Sequence, residues 1–363
     1  DQTLKDTVLK LYEFAMSYPW VEEWLDGCRK PFHVEELEDF ENLPVTEALL
    51  EYLGNLAVQW AGQIKQCIQL SFMEDGPQSY VPILQQEYEA LEQMKECRTS
   101  QEYYEQMISI HFADLPRKKF TGDKAKKERV QKMRNEVKAS VRKIREQFFF
   151  QCPEKMLKDI QKNRPVADML IEVTLSFIHA FSDKKREKNI LDFNDQEHFA
   201  LKILVDEQTH VPSRTAEELR KKYEEIMIDE YQDSNHVQET ILRAVSMEAE
   251  GGHNVFMVGD VKQSIYRFRM ARPELFMEKY ETYTSTESNE QRIDLHKNFR
   301  SRPQVIDTVN DIFRKIMNHD IGNITYDDQA ALYPGAEFPQ GEDGMFDTQI
   351  VIVQPGEDET GTK

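Results

Sequence analysis

The chain has 363 residues, 39% of them hydrophobic, and a formal net charge of -20, long enough for two or more cores at about 100–200 residues per domain. So acidic a balance argues against wholesale coating of nucleic acid, and no apolar run approaches the roughly 20 residues needed to span a bilayer. Four cysteines, Cys28, Cys67, Cys97 and Cys152, are scattered without a CxxC pair, which speaks against a disulfide framework or a zinc site and for inert thiols in a reducing, cytoplasmic compartment.

In chain order, the first half predicts helices. Residues 3–17 carry Leu4, Val8, Leu9, Leu11, Tyr12 and Met16 close to a helical period. After Pro44, Leu49, Leu53, Leu56, Trp60, Ile64 and Cys67 trace one stripe. Further helices are expected over 81–96 and 101–112, from about Lys124 into Phe148, and over 165–185. Trp20, Trp24 and Trp60 read most simply as packing residues, and His198 as packed or surface. With Asp1 at its start and no leader peptide, the sequence reads as a processed chain or a piece of a larger one.

The texture changes near residue 190. Short β-type runs at 226–229, 255–259, 293–295 and 349–353 alternate with helical stretches, which predicts a parallel α/β sheet. The first run ends in Asp229-Glu230, followed by Tyr231-Gln232-Asp233-Ser234-Asn235. Two adjacent carboxylates at a strand tip suit nucleotide hydrolysis, one to hold magnesium and one to orient and deprotonate water. A lone Asp-Glu pair is more often an acidic turn with capping residues.

This pair has company. The second run leads into Gly259-Asp260-Val261-Lys262-Gln263-Ser264-Ile265-Tyr266-Arg267-Phe268-Arg269. There Gly259 permits a tight turn, and Gln263 can donate to or accept from a phosphate or water. Interleaved Tyr266, Phe268, Arg267 and Arg269 suit single-stranded DNA, which offers ring faces and phosphates alternately. Lys297-Asn298-Phe299-Arg300-Ser301 follows a third run.

In this order and spacing, DEYQD, GDVKQSIYRFR and NFRS resemble motifs II, III and IV of the UvrD/PcrA/Rep/RecB group of superfamily 1 helicases. Leu191-Asp192-Phe193-Asn194-Asp195 resembles a segment upstream of motif II, with Gln196 in place of its usual final Leu. VKQSIYRFRMARPELF and LYEFAMSYP look most like the AddA subfamily, with RecB the nearer rival. The resemblance implies an α/β fold with a large helical domain. Residues 1–188 would form the helical subdomain 1B. Residues 189–300 would form part of the RecA-like domain 1A, without the strand that precedes a phosphate loop. Residues 301–363 would form the 1A/2A junction and a truncated start of 2A.

Position by position, the resemblance assigns magnesium to Asp229 and general-base action to Glu230. Gln263 would sense the γ-phosphate, Arg300 would contact it, and Phe299 would lie near the adenine. Phe268 would offer a base platform flanked by Tyr266 and Arg269. ATP and Mg2+ would be the cofactors, DNA (single strands and duplex ends) and an AddB-like nuclease subunit the partners, and no membrane is expected. Motifs Ia, V and VI and the C-terminal nuclease residues are not seen, and no GxxxxGK[ST] occurs in the chain. The chain would therefore begin after the phosphate loop, and by itself it is expected to show no ATPase.

Between Arg117 and Arg145 stand thirteen Lys/Arg against Asp123, Glu128 and Glu136. This helix, with Lys126, Lys127 and Arg134, and the Arg117-Lys118-Lys119 turn are candidates for DNA-backbone contacts, since counterion release rewards such clusters. A solvated charged face is the plain alternative. For the chain as a whole, the rival reading is a non-catalytic DNA- or protein-binding module derived from a helicase.

Overall fold

A computed structural model describes residues 2–117, 120–318, 324–339, 341 and 344–351. The chain divides into one unit of residues 1–9 and 22–181 and another of residues 10–21 and 182–363.

Helices α1 (Gln2–Ala15) and α2 (Val21–Gly27) open the chain, followed by the short α3 (Leu37–Glu41). The first unit is built around α4 (Pro44–Phe72), which begins with proline at its first turn, where the missing N–H costs nothing. Its stripe of Leu53, Ala57, Trp60, Ile64 and Cys67 is buried against α5 (Val81–Gln93), α6 (Ser100–Ser109) and α7 (Lys124–Phe148). Thr99 and Glu102 form a reciprocal capping box at the start of α6, and Asp123 caps α7 by accepting from the Ala125 N–H at 2.8 Å. The α7 stripe of Val130, Val137, Val141 and Ile144 joins the same core. Trp60 lies within it and donates from Nε1 to Ser140 Oγ at 3.1 Å.

Helix α8 corrects two expectations. It runs from Pro153 to Lys188 and so encloses Pro165, where the sequence suggests a start. Pro153 at the first turn is the better start signal, while Pro165 inside costs one backbone hydrogen bond. The helix also contains an 18-residue window apolar enough by composition to cross a membrane, contrary to the sequence expectation. Only 11% of that window is buried. The same helix carries Asp168, bonded to His33 at 3.0 Å, and Glu172, paired with Arg29 at 2.6 Å, charges that a hydrocarbon environment penalises.

In the second unit, α9 (Phe193–Leu204) and α10 (Arg214–Lys222) precede β1 (Ile226–Ile228), α11 (His236–Val245) and β2 (Val255–Met257). Strands β1 and β2 are parallel, with Ile226 opposite Val255 and Ile228 opposite Met257, as a helical crossover requires. Leu201, Leu204, Val237, Ala244 and Val245 form the core, with Ile226 and Ile241 packed on it. The other sheet face bears exposed Met227 and Phe256. Beyond lie α12 (Pro273–Thr282), β3 (Lys297–Asn298), α13 (Pro303–Ile316) and β4 (Tyr333–Pro334), with β3 and β4 paired in parallel.

The expected strand at 293–295 does not form. Ile293 and Leu295 are exposed, and this run lines, together with β2, a cavity of about 470 Å³ instead of pairing with the strand. Pairing begins two residues later, at Lys297. Of the strand expected at 349–353, residues 349–351 are irregular, with Ile350 and Val351 exposed and no partner strand among the described residues, and the remaining two lie outside the described residues.

Candidate functional site

Strand β1 delivers Asp229 and Glu230 to its C-terminal tip, where both are exposed. Asp229 Oδ1 accepts from the Glu230 N–H at 2.9 Å. Glu230 itself has φ 52° and ψ 41°, a left-handed backbone that costs a non-glycine residue about 1–3 kcal/mol and concentrates at functional sites. The surroundings hold it there. Val258 N–H donates to Ile228 O at 2.8 Å, and Tyr231 N–H to Val258 O at 2.9 Å, so the two strand tips stay laced beyond the regular pairing. Tyr231 is fully buried and donates its hydroxyl to Glu239 Oε2 at 2.6 Å.

Gln232 turns back under this tip. Its Nε2 donates to Glu230 Oε2 at 2.7 Å, and its Oε1 accepts from the Asp260 N–H at 2.9 Å. Asp260 Oδ2 in turn accepts from Gln263 Nε2 at 3.0 Å. Gly259 leaves room at this crossing, since a Cβ would stand 2.6 Å from Gln232 Oε1 and force that amide to shift. The predicted Asp229, Glu230 and Gln263 are thus linked through two residues, Gln232 and Asp260, to which sequence reasoning gives no role. Only their places inside the two motifs hint at one.

Several ionisable groups around the tip are displaced from their ordinary behaviour. Burial, then the neighbouring Glu230, raises the Asp233 carboxyl, whose Oδ1 is buried without a partner among the described residues. Burial pushes the Tyr231 phenol up, and its bond to Glu239 adds to this. Burial works against charge on Lys279, but Glu239 and Glu248 outweigh it and hold its pKa above normal.

Among the described residues, no three His, Cys, Asp or Glu side chains are grouped to enclose a metal. Asp229 offers one carboxylate whose Oδ2 has no hydrogen bond among the described residues. Magnesium keeps several waters and takes one or two carboxylates plus substrate phosphates, so this donor set fits a magnesium–phosphate complex and not a self-contained metal cage.

Past Gln263, the Arg269 guanidinium lies 5.1 Å from the Tyr266 ring centroid and 5.6 Å from that of Phe268. The Phe268 ring is 72% exposed, an open face with a cation beside it. Arg267 is paired with Glu274 at 2.6 Å. Phe299 and Arg300 sit apart, after β3 on the second sheet. Asn298 Oδ1 accepts from the Arg300 and Ser301 N–H groups at 2.9 and 2.8 Å. Phe299 packs on Gly335, where a Cβ would lie 2.8 Å from its ring. No hydrogen bond or ion pair among the described residues joins Arg300 to the β1 tip.

Upstream, Asp192 and Asp195 form the capping box that starts α9, and Lys185 Nζ reaches both, at 2.9 and 2.6 Å. Burial opposes the Lys185 charge, but its bonds to Asp195 and Asp192 prevail and raise its pKa. One turn on, Glu197 accepts from Asn235 Nδ2 at 3.2 Å and Gln238 Nε2 at 2.8 Å, clamping the start of α11 behind the acidic tip. His198 is buried, with Nε2 donating to the Met16 carbonyl at 3.0 Å.

The basic helix α7 lies in the first unit. Lys126 pairs with Asp75 at 2.5 Å, and Lys127 stands 5.4 Å from the Phe120 ring centroid. Arg134 corrects the sequence expectation. It is buried, with Nε 2.8 Å from Glu87 Oε2 and Nη2 2.5 Å from Glu87 Oε1, and it also donates to the Ala113 carbonyl. Its guanidinium faces the core and offers nothing to a phosphate. The outward cations of α7 are Lys124, Arg129, Lys132, Lys138, Arg142 and Lys143. Lys118 and Lys119 lie outside the described residues.

The profile of the UvrD/REP helicase N-terminal domain matches residues 57–284 of the chain. Curated proteins named as the A-type subunit of an ATP-dependent helicase/nuclease are similar along nearly its whole length. The one from Lachnoclostridium phytofermentans is 42% identical over 94% of this chain and 25% of its own length. Those from Alkaliphilus oremlandii and Clostridium acetobutylicum are 40% and 38% identical, over 97% and 100% of this chain and 29% and 30% of theirs. The chain thus spans less than a third of the length of these relatives.

Proposed function

The chain belongs to the UvrD/REP helicase family, and on that premise we propose that it is a segment of an ATP-dependent 3′–5′ DNA helicase/nuclease of the AddA type, working in double-strand-break repair and recombination. The observation that carries this reading is the β1 tip, where Asp229 and Glu230 are tied through Gln232 and Asp260 to Gln263.

In this reading, Asp229 holds the cation of a magnesium–ATP complex, which supplies charge neutralisation between the phosphates. Glu230 takes the proton of the hydrolytic water, and Gln263 reports the terminal phosphate to the adjoining aromatic–arginine segment. Phe268, Tyr266 and Arg269 stack on and neutralise single-stranded DNA. Arg300 and Phe299 serve the nucleotide from the second sheet. Residues 1–188 play the part of subdomain 1B, residues 189–300 that of domain 1A and residues 301–363 that of the 1A/2A junction and start of 2A, and an AddB-like nuclease subunit is the partner of the whole protein.

The test is the single-stranded-DNA-stimulated ATPase of the full-length protein. Glu230→Gln should lower kcat by about 10²-fold or more, the scale of a lost general base, while DNA binding persists. Turnover at the wild-type level in that variant would overturn the assignment.

A further inference from the structure

Gln232 is 1% exposed, and its amide is engaged at both ends. A neutral amide donates and accepts at once, and the two partners here demand opposite roles. The carboxylate of Glu230 can only accept, and the Asp260 N–H can only donate, so the amide orientation is dictated by its neighbours. Glu230 is otherwise exposed, on a strained left-handed turn. A carboxylate in that position, if held only by its own backbone, would sample several rotamers. The bond from Gln232 selects one and leaves Oε1 without a hydrogen bond among the described residues.

From these observations we infer that Gln232 is a positioning residue for hydrolysis, orienting Glu230 and coupling it rigidly to the Asp260–Gln263 segment. The inference rests on the functional reading above and deepens it. The four residues form a single chain of hydrogen bonds, Glu230–Gln232–Asp260–Gln263, joining two strand tips through side chains and one backbone N–H. Gly259 allows the approach, because a Cβ there would stand 2.6 Å from the Gln232 oxygen and displace it. A displacement of Gln263 by phosphate, or of the following segment by DNA, is therefore transmitted to the carboxylate without passing through solvent.

The experiment uses the full-length protein and reads kcat and KM for ATP with saturating single-stranded DNA. Two variants separate positioning from mere packing. Gln232→Glu keeps the size and the acceptor for Asp260 but replaces the amide donor with a second acid against Glu230, where the pair shares one proton. Gln232→Met keeps the size and loses both. Because a misplacement near 1 Å costs about 10²-fold in rate, both variants should lower kcat by about that factor with KM for ATP nearly unchanged. Turnover is expressed per nucleotide-binding molecule, so partial unfolding lowers the amplitude and not the constant.

Combining Gln232→Met with Gln263→Met should cost little more than the worse single variant, since residues in one network are non-additive. A kcat within about threefold of wild type in Gln232→Met would overturn the inference, because that rate change is about 0.65 kcal/mol at 1.36 kcal/mol per tenfold. Fold losses that simply multiply in the double variant would overturn the coupling as well. A wild-type protein without DNA-stimulated turnover, or a fully active Glu230→Gln, would instead sink the functional reading and this inference with it.

Discussion

The guanidinium of Arg134 and the carboxylate of Glu87 meet in a two-pronged pair, 2.8 and 2.5 Å long, with side-chain exposures of 4% and 2%. Both sit on stripes that are otherwise apolar, between Val130 and Val137 on α7 and between Leu84 and Leu91 on α5. Burial raises the Glu87 carboxyl pKa even against the opposing pull of Arg134, so desolvation outweighs the attraction. Removing one partner leaves an uncompensated buried charge, at a cost of about 3–5 kcal/mol, whereas replacing both with apolar residues of similar size is often neutral. Arg134→Met alone should thus lower the urea midpoint of the chain markedly, and Arg134→Met with Glu87→Met should restore most of it. Equal midpoints for wild type and the single variant would contradict the pair's structural role.

His198 gives a pH signature. Burial, only partly offset by the Met16 carbonyl, lowers its pKa below the ordinary 6.5. The folded state therefore binds this proton less readily than the unfolded chain does. Stability tied to His198 is complete above about 6.5 and is lost as pH falls toward the depressed folded value. A His198→Gln variant should show a flatter melting temperature between about pH 7 and 5 than the wild type, by the same linkage. Parallel curves would remove His198 from the acid response.

The ring of Phe268 offers a stacking face beside Arg269. Stacking on an aromatic side chain is worth about 1–3 kcal/mol per base, so Phe268→Ala in the full-length protein should weaken single-strand binding about 5- to 150-fold with little sequence preference. Fluorescence anisotropy with a labelled oligonucleotide measures it. Unchanged affinity would place the track elsewhere.

Charge reversal at Lys124, Arg129, Lys132 and Lys138 tests the outer face of α7. If these side chains neutralise duplex phosphates, each phosphate left without its cation should reduce the slope of log affinity against log salt by about 0.9. An unaltered slope would leave the face merely solvated. Arg134 is unsuitable for this test because its loss would act on the core.

The chain as it stands should not turn over ATP, because the sequence contains no GxxxxGK[ST] to cradle the phosphates. Phosphate release from the purified chain with magnesium and single-stranded DNA should remain at the blank. Sustained turnover would require a phosphate cradle built from other residues.

What is legible in the sequence follows the range of the interactions. The stripes of α4 and α7 are local, and periodicity alone places Val130, Val137 and Val141 inside. The same count puts position 134 on that stripe. Sequence reasoning assigns Arg134 to the surface only because charge usually stays in water, and its pairing with Glu87 spans 47 positions. The carboxylate tip is legible because β1 and its turn are contiguous. The Gln232–Asp260 bond is not, since it exists only once β1 and β2 lie side by side. The run at 293–295 has strand composition but pairs with no strand among the described residues, and propensity alone does not supply one. The two-residue strands β3 and β4 are too short for any pattern to show.

The left-handed turn at Glu230 makes that single position informative in a saturation screen. Glycine and asparagine tolerate such a backbone, whereas β-branched residues resist it. Variants at 230 should therefore sort into two groups when abundance and activity are scored side by side. Gly and Asn should yield well-populated but inert protein, and Val and Ile should be depleted before chemistry is ever asked of them. The gap between the groups would read out, from cell survival and protein level alone, how much conformational tension this site stores for its one carboxylate.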